Sequence, residues 1–384
     1  MPSSSSARAA AVAVAGAVAA TAFAAPAHAA APTWRVVKTY DNGKYDGFNG
    51  VLALSKNNAW AFGGGDRKAG DFNRPLAYHW NGKSWRSSAL PTGLTGHLWD
   101  GSASSSANVW AYGGNSEAGG SRGSYVLRWN GKKWAVAKKF AASRGRISGI
   151  LALSAKNVWV FGAPGADRGV GTWHYNGRSW TELKNPPALI GEADASSATN
   201  AWANARGLNG DAKTIVRFDG KRWKTVSTKG VLPADQHPED DNAPQVSSFV
   251  GEPLVRSAKE VWFPAHTQRY GGTSKPSTTN LLLRWNGKRW QKYAVPTKQS
   301  PREVVPDGRG GLWVVAGSPH DRAEIWHRSA AGKWTRANVT VPRGRVGGPA
   351  DAALMPGTRS VVGAGVLRPA DQTSSDSAIF YFKG

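Results

Sequence analysis

The stretch Asn108-Val109-Trp110, followed by Arg128-Trp129-Asn130-Gly131-Lys132-Lys133-Trp134, is one copy of a sequence motif that recurs along the whole chain. Its first tryptophan recurs at successive positions and is replaced once by valine: Trp60, Trp110, Trp159, Trp202, Trp262, Trp313 and Val362. Neighbouring positions are 43 to 60 residues apart. The residues around each position are aromatic, β-branched or small, and they are separated by turn-forming Asn, Ser and Gly, which favours β-strands.

The second repeat predicts four strands, at residues 98–104, 109–114, 124–129 and 133–136. The first two strands are joined by a tight turn at 105–108, and the last two by Asn130-Gly131. A two-residue hairpin turn of this kind predicts positive φ at both of its residues. A self-similar period near 50 residues with four short strands in each unit is typical of a β-propeller.

The two ends of the sequence give the number of blades. The seventh repeat ends at Ala378–Gly384 with a third strand and no fourth. Pro32–Val37 resembles the strand that follows each Asn-Gly turn, with Trp34 in the closing tryptophan position. We therefore expect an all-β, seven-bladed β-propeller of four-stranded antiparallel blades, whose last blade is closed by the N-terminal strand around Trp34.

The second strands of two repeats carry a diglycine, Gly63-Gly64 and Gly113-Gly114, before an aromatic third strand and a tryptophan. These repeats resemble kelch repeats, and more closely the repeats of secreted propellers from high-GC Gram-positive bacteria. The diglycine becomes Gly162-Ala163, Asn204-Ala205 and Ala316-Gly317 in other copies. The resemblance implies the propeller fold and leaves the function open, because propellers host many unrelated activities.

The first 29 residues read as a secretory signal peptide. An alanine- and valine-rich run, Ala9–Ala24, is followed by the small-x-small sequence Ala27-His28-Ala29, which predicts cleavage near Ala29-Ala30. Residues 30–384 are expected to form a single β-propeller domain. No other apolar run approaches the ~20 residues that span a bilayer. The sequence predicts a secreted, extracellular monomer without a membrane span.

Composition excludes several kinds of chemistry. The chain has no cysteine, which excludes disulfides, thiolate nucleophiles and thiolate metal sites. No glycine loop with lysine is present to hold a phosphate, and the eight histidines are scattered, so we expect neither cofactor nor metal. The formal net charge of +24 predicts association with polyanions. Specific binding of nucleic acid is not predicted, because the tryptophans are repeat residues rather than free stacking platforms.

Acidic residues recur at one register of the innermost strand. Ten residues before each first tryptophan stand Gly50, Asp100, Gly149, Glu192, Glu252 and Glu303. These four acids predict an acidic collar at the mouth of the central channel, with Asp194 and Asp351 as further members and Trp99 and Arg302 beside it. Such a collar suits a cation or a polyhydroxyl ligand. The alternative interpretation is structural, with the acids bonded to backbone amides or arginines of neighbouring blades.

Three functions follow from these features. The connections from second to third strands, and from each fourth strand to the next blade, are long and lie on one face. The first function is a non-catalytic binding protein that engages a glycan, a cell-wall polymer or a protein through this face. The second is an extracellular carbohydrate-active hydrolase or lyase that uses two of the collar carboxylates. The third is polyanion binding by cations of the hairpin turns on the opposite face: Lys83, Lys132, Lys133, Arg178, Lys221, Arg222, Lys288, Arg289 and Lys333.

Overall fold

The computed structural model describes residues 32–41, 45–66, 74–114, 123–141, 145–162, 169–236, 238, 243–272, 275–320 and 323–384. The expected signal peptide and its cleavage site lie outside these residues, so both stay predictions, as does the domain boundary at residue 30. All regular structure in the described ranges is β-sheet. No helix there is long and apolar enough to cross a membrane.

Thirty strands form seven sheets, which are the blades. Blade 1 is β2 (Tyr45–Ser55), β3 (Asn58–Asp66), β4 (Arg74–Trp80) and β5 (Trp85–Ser87). Blade 2 is β6 (His97–Ser105), β7 (Asn108–Gly114), β8 (Ser124–Trp129) and β9 (Trp134–Phe140). Blade 3 is β10 (Gly149–Ser154), β11 (Asn157–Phe161), β12 (Trp173–Tyr175) and β13 (Trp180–Glu182). Blade 4 is β14 (Leu189–Ser197), β15 (Asn200–Arg206), β16 (Thr214–Phe218) and β17 (Trp223–Val226).

Blades 5 to 7 complete the ring, and blade 5 has its innermost strand in two pieces. Blade 5 is β18 (Gln245–Val250), β19 (Leu254–Ser257), β20 (Glu260–Tyr270), β21 (Ser277–Trp285) and β22 (Trp290–Ala294). Blade 6 is β23 (Pro301–Pro306), β24 (Leu312–Ala316), β25 (Glu324–Arg328) and β26 (Trp334–Arg336). Blade 7 is β28 (Arg345–Leu354), β29 (Val361–Pro369), β30 (Asp376–Phe382) and β1 (Thr33–Tyr40), with β27 (Asn338–Thr340) at its outer edge.

The N-terminal strand closes the last blade, as the sequence predicts. Strand β1 pairs antiparallel with β30, and Val36 lies opposite Phe380. On its other side β1 pairs in parallel with the short strand β27, which follows blade 6 directly. The first and last strands of the fold therefore join in one sheet, and the ring needs no further covalent closure.

The recurring tryptophans hold neighbouring blades together. Trp60 meets Trp134 of the next blade edge to face, with ring centroids 5.1 Å apart and planes at 84°. Four other blade pairs repeat this contact within 5.7 to 6.0 Å: Trp110 with Trp180, Trp159 with Trp223, Trp202 with Trp290, and Trp313 with Trp34. Trp34 is fully buried and takes the same place as the closing tryptophans of the other blades. The recurring tryptophans therefore act as wedges between neighbouring blades, as expected of repeat residues.

The expectation of positive φ at both residues of the Asn-Gly hairpins is wrong. In the first blade only Gly82 has positive φ, and the same holds for the equivalent glycine of blades 2 to 5. The side chain of Asn81 explains the difference, because its Oδ1 accepts hydrogen bonds from the backbone N–H groups of Lys83 and Ser84. The centre of the turn is therefore Gly82-Lys83, with the glycine in the first central position, and asparagine caps the turn from outside.

Removing the closing tryptophan tests the role of the N-terminal strand. We expect Trp34→Ala to lower the free energy of unfolding by about 3–5 kcal/mol, because a fully buried indole leaves a cavity between blades 6 and 7. Val37→Ala on the same strand is the control, since Val37 is 54% exposed. That change should alter stability by no more than about 0.5 kcal/mol. Urea unfolding of both variants measures the difference, and equal effects would contradict closure by Trp34.

Candidate functional site

Irregularities in the innermost strands aim acidic side chains at the channel. The register of these strands shifts just before Asp100 in blade 2, before Glu303 in blade 6 and before Asp351 in blade 7. In blade 4 the shift spans Glu192, and in blade 5 the strand is broken around Glu252. A β-bulge turns a side chain away from the regular alternation, and bulges are frequent beside functional sites.

Strand pairing defines one equivalent position in five blades, occupied by Gly50, Asp100, Gly149, Glu303 and Asp351. Glu192 lies within the register shift of blade 4 and Glu252 in the break between β18 and β19, each ten residues before the recurring tryptophan. Asp351 pairs with Ala364, which corresponds to Tyr112 opposite Asp100. Counting back ten residues from Val362 misses Asp351, because one residue more separates these two positions than in the other blades. The structure thus brings together all four acids at the predicted register, and Asp351, the further predicted member, lies at the same register.

The two glycine positions allow the blades to approach. A Cβ on Gly50 would lie 2.5 Å from Oδ1 of Asp100, and one on Gly149 would lie 2.6 Å from the carbonyl oxygen of Gly191. A side chain at either position would therefore collide with the next blade.

The acids form a constriction between two cavities of the central channel. The cavity on the long-connection side, called here the upper funnel, has a volume of about 430 Å³. The cavity on the other side, the lower funnel, has about 490 Å³ and is lined mainly by aliphatic side chains. Asp100, Glu252, Glu303 and Asp351 line both cavities. Trp99 and Arg302, which the sequence placed beside the collar, line the upper funnel.

Three of the acids are bonded to the backbone of the next blade. Asp194 accepts hydrogen bonds from the N–H groups of Ala195 and Val255, both at 2.7 Å. Asp351 accepts from the N–H of Val51 at 2.6 Å, and Glu303 accepts from that of Ala352 at 3.0 Å. For these three residues the structural interpretation holds, because each carboxylate links two adjacent blades. Asp194 lines only the lower funnel.

The other three acids face the channel with few or no protein partners. Oε2 of Glu192 accepts a 3.0 Å hydrogen bond from Nδ2 of Asn204, whose own oxygen accepts from the backbone N–H of Glu192. No side-chain hydrogen bond or ion pair holds the carboxyl group of Asp100 or Glu252 to another side chain in the described part of the chain. Asp100 accepts a hydrogen bond from the backbone N–H of Gly101, so the remaining acceptor capacity of both groups is directed to the channel.

Burial raises the pKa of all six carboxyl groups, and repulsion by neighbouring acids adds to it for Asp100, Glu192, Glu252 and Glu303. For Asp100, Glu252 and Glu303 burial is the main cause, and neighbouring acids add to it, so their pKa values lie well above the ordinary range. Burial also raises the pKa of Asp194, to about 6, against the effect of its two backbone hydrogen bonds. Glu303 and Asp351 lie close enough to share a proton, which burial and repulsion favour.

One cation lies among these acids. Nη1 of Arg302 donates to the carbonyl oxygen of Ala350 at 3.3 Å, and its Nε donates to that of Gly317. Its positive charge lowers the pKa of Glu192 and Asp351, but less than burial raises both. Arg302 is the only lysine or arginine that lines the upper funnel in the described part of the chain. The funnel therefore keeps an excess of acidic groups.

Aromatic and amide side chains complete the upper funnel. Trp99, Tyr112, Phe249 and His266 line it, and the rings of Phe249 and His266 stack at 4.9 Å. Sequence reasoning missed Tyr112, Phe249, His266 and Asn204. Tyr112 and Asn204 stand two residues after the recurring tryptophans of their blades, on the same sheet face as the collar, and this signal was available.

The carboxyl groups of the constriction can bind hydrogen-bond donors. Among the described residues, no group of three or more His, Asp or Glu side chains is arranged to hold one metal ion. His79 and His174, which occupy equivalent repeat positions, instead stack on Trp60 and Trp159 at 4.3 and 4.4 Å. Protonated or ionised carboxyl groups around a funnel can exchange hydrogen bonds with hydroxyl or amino groups of a ligand.

The hairpin cations predicted to bind polyanions lie in the turns between third and fourth strands, whereas the collar residues lie on the innermost strands. All nine side chains are exposed: Lys83, Lys132, Lys133, Arg178, Lys221, Arg222, Lys288, Arg289 and Lys333. They lie at the opposite ends of the strands from the long connections, so the collar and the cations belong to different faces.

Comparison with known proteins identifies the architecture. No protein-family model and no curated protein sequence matches the chain. Among solved structures, YCF48 bound to a D1 peptide is similar with a TM-score of 0.55 and 10% identity, over 92% of this chain and 99% of that one. YCF48 from Cyanidioschyzon merolae has a TM-score of 0.53 and 12% identity, over 91% and 98% of the two chains.

A GH74 xyloglucanase from Xanthomonas campestris has a TM-score of 0.54 and 13% identity, over 88% of this chain and 52% of that one. At these identities the similarity shows the β-propeller fold alone.

Neutralising one channel acid tests the raised pKa values. Burial and neighbouring acids raise the pKa of Glu252 from its ordinary value of 4.5, so the folded state binds more protons than the unfolded chain above that pH. The free energy of unfolding should then fall as the pH rises from about 4.5 through the folded pKa. We expect Glu252→Gln to melt at a higher temperature than the parent at pH 8, with the difference vanishing near pH 4.

Calorimetry across this range measures the effect. Asp371→Asn is the control, because Asp371 is exposed and its hydrogen bonds to Thr373 lower its pKa. A Glu252→Gln variant whose stability relative to the parent is independent of pH would contradict the raised pKa.

Proposed function

We propose that this protein is a secreted, non-catalytic binding propeller that takes a glycan into the upper funnel. The observation that carries this proposal is the pair Asp100 and Glu252, two carboxyl groups without side-chain partners at the floor of a funnel lined by aromatic rings. Sugar hydroxyls supply the donors that these oxygens lack, and the apolar face of a sugar ring packs on indole and phenyl rings. A cell-wall polymer provides the same groups, as does a protein partner with exposed amines.

The size and shape of the funnel support a small ligand or the end of a polymer. A volume of about 430 Å³ lies within the range of small-molecule sites. Three of its lining residues, Asn49, Trp99 and Arg302, occupy the register shifts of their innermost strands, and Phe249 lies beside the strand break of blade 5. Among the solved structures of the same fold, one propeller is bound to a D1 peptide and another is a xyloglucanase.

The electrostatics favour binding over hydrolysis. A glycosidase needs two carboxyl groups with separated pKa values, one protonated as the acid and one ionised as nucleophile or base. Here burial raises the pKa of both Asp100 and Glu252, neighbouring acids raise both further, and no described cation beside either group favours its ionised form. Hydrolysis by Asp100 and Glu252 stays the alternative function that the experiment below distinguishes.

The proposal also includes export of the protein from the cell. The alanine-rich segment at residues 1–29 supports export, and the diglycines support a place among secreted propellers with kelch-like repeats. The structure gives those glycines a physical role: a Cβ on Gly63 would lie 2.0 Å from the carbonyl oxygen of Gly47, and one on Gly113 would lie 2.4 Å from that of His97.

A glycan array probed with residues 30–384 tests the proposal. We expect binding of at least one neutral or amino-sugar glycan, weakened about ten- to a hundredfold by Glu252→Gln, because an amide NH2 in place of a carboxyl oxygen leaves one donor of the glycan unpaired. Trp99→Ala should weaken the same glycan through the lost ring contact. Asp371→Asn, on an exposed connection outside the funnel, should bind as the parent does.

Two results would overturn the proposal. Binding that is unchanged in both Glu252→Gln and Trp99→Ala would place the ligand elsewhere. Release of new reducing ends from the bound glycan, abolished by Asp100→Asn or Glu252→Gln, would replace binding with hydrolysis.

A further inference from the structure

The two short turns of each blade lie side by side on one face. A Cβ on Gly177, in the outer turn of blade 3, would lie 2.7 Å from Cγ of Lys156, in the inner turn of the same blade. In blade 5 a Cβ on Gly287 would lie 2.9 Å from Cγ of Lys259. The inner turns join first and second strands, and the outer turns join third and fourth strands. We call the surface that both form the short-turn face.

Inner turns add cations that the sequence reasoning did not include. Five of them carry an exposed lysine or arginine: Lys56, Lys156, Lys259, Arg309 and Arg359. Together with the nine exposed cations of the outer turns, they place positive charge in all seven blades. No ion pair with any of these side chains occurs in the described part of the chain.

Acidic residues are scarce on the short-turn face, and those present are occupied. Only Asp219, Glu260 and Asp307 lie in or beside these turns among the described acids. Asp219 pairs with Lys224 at 2.6 Å and Glu260 with Arg256 at 3.2 Å. Asp307 is buried and bonded to the ring of His327 at 2.9 Å. The other described acids lie in the channel or towards the long connections, so none neutralises the turn cations.

Like charges held close together cost free energy unless a partner compensates them. The stem of Lys156 packs over the turn that carries Arg178, and that of Lys259 packs over the turn that carries Lys288 and Arg289. The hairpins are rigid, because an Asn or Asp side chain caps each outer turn of blades 1 to 5 through two backbone N–H groups. The cations are thus fixed near one another and cannot separate by moving the backbone.

We propose that the short-turn face is a docking surface for a flexible linear polyanion, such as a polyphosphate or an acidic polysaccharide chain. Blades 1 to 6 each carry two or three of these cations and blade 7 carries Arg359, so positive charge repeats around the ring. Such a repeat matches anionic groups that repeat along a chain able to bend. A stiff duplex would cross the ring and reach only the turns beneath it. No large hydrophobic side chain among the exposed ones lies in these turns, so nothing there is suited to insert into a lipid surface.

This surface is separate from the upper funnel, and its test does not depend on the funnel. The proposed variant replaces four turn cations with glutamine: Lys156→Gln, Arg178→Gln, Lys259→Gln and Lys288→Gln. The matched control makes the same change of net charge towards the long connections: Lys184→Gln, Arg206→Gln, Arg269→Gln and Lys275→Gln. All eight side chains are exposed, so both variants are expected to fold.

Binding of the mature protein to polyphosphate and to heparin is measured as a function of salt concentration. For the short-turn variant we expect the slope of log K against log salt to fall by about 3, since each charge contact contributes roughly 0.7 for a flexible chain. The matched control should keep the slope of the parent. Equal losses in both variants would show that net charge alone drives binding and would overturn the proposal.

Two further probes decide the class of partner. Duplex DNA and vesicles of anionic phosphatidylglycerol are titrated under the same conditions. Weaker binding to both than to polyphosphate at equal concentration of charge supports a flexible chain. Tighter binding to the duplex or to the vesicles that is lost in the short-turn variant would replace the flexible polyanion with that partner. Absence of binding to all four probes would overturn the proposal of a docking surface.

Discussion

The edge-to-face contact between tryptophans of neighbouring blades is the interaction on which the rest of the structure depends. Each such pair contributes about 0.5–1.5 kcal/mol beyond the burial of its surface, and the contact recurs around the ring. It needs a tryptophan on the second strand of one blade and another at the start of the fourth strand of the next. Trp313 and Trp34 make this contact between residues from opposite ends of the chain, so the ring closes by the interaction that builds it.

A ring held at its periphery forces the innermost strands together around one axis. Six carboxyl groups then share the channel, where burial and repulsion raise their pKa values. Three of them offset part of this cost with backbone N–H groups of the next blade, as Asp194 does with Val255. Asp100 accepts only from the backbone N–H of Gly101 in its own strand, and Glu252 has no side-chain partner among the described residues. A polar group with few partners in an enclosed site is commonly the point where a ligand completes the hydrogen bonding.

The up-and-down order of strands separates the charges of the protein. Short turns all fall on one face and long connections on the other, so a residue's place in the repeat decides the face on which its charge appears. Lysine and arginine occupy the turn positions, while most described acids lie in the channel or towards the long connections. A protein with a formal charge of +24 thereby presents one cationic face and one funnel with acidic groups at its floor.

The sequence by itself determined the architecture, because the signals for strands and turns are local and repeat with a fixed period. The Asn-Gly turns, the recurring tryptophans and the N-terminal strand around Trp34 were enough to predict seven blades and the closure of the ring. It also indicated the register of Asp100, Glu192, Glu252 and Glu303, since a residue at a constant distance from a wedge tryptophan returns to the same place in each blade.

Only the tertiary structure decided which acids are structural and which face the channel. Bulges and a broken strand aim these side chains, and their presence depends on contacts with the next blade rather than on local sequence. One extra residue between Asp351 and Val362 also hides Asp351 from a count of ten residues back along the chain. The joining of inner and outer turns into one cationic face likewise arises from packing across a blade, between residues such as Lys156 and Gly177 that are not neighbours in sequence.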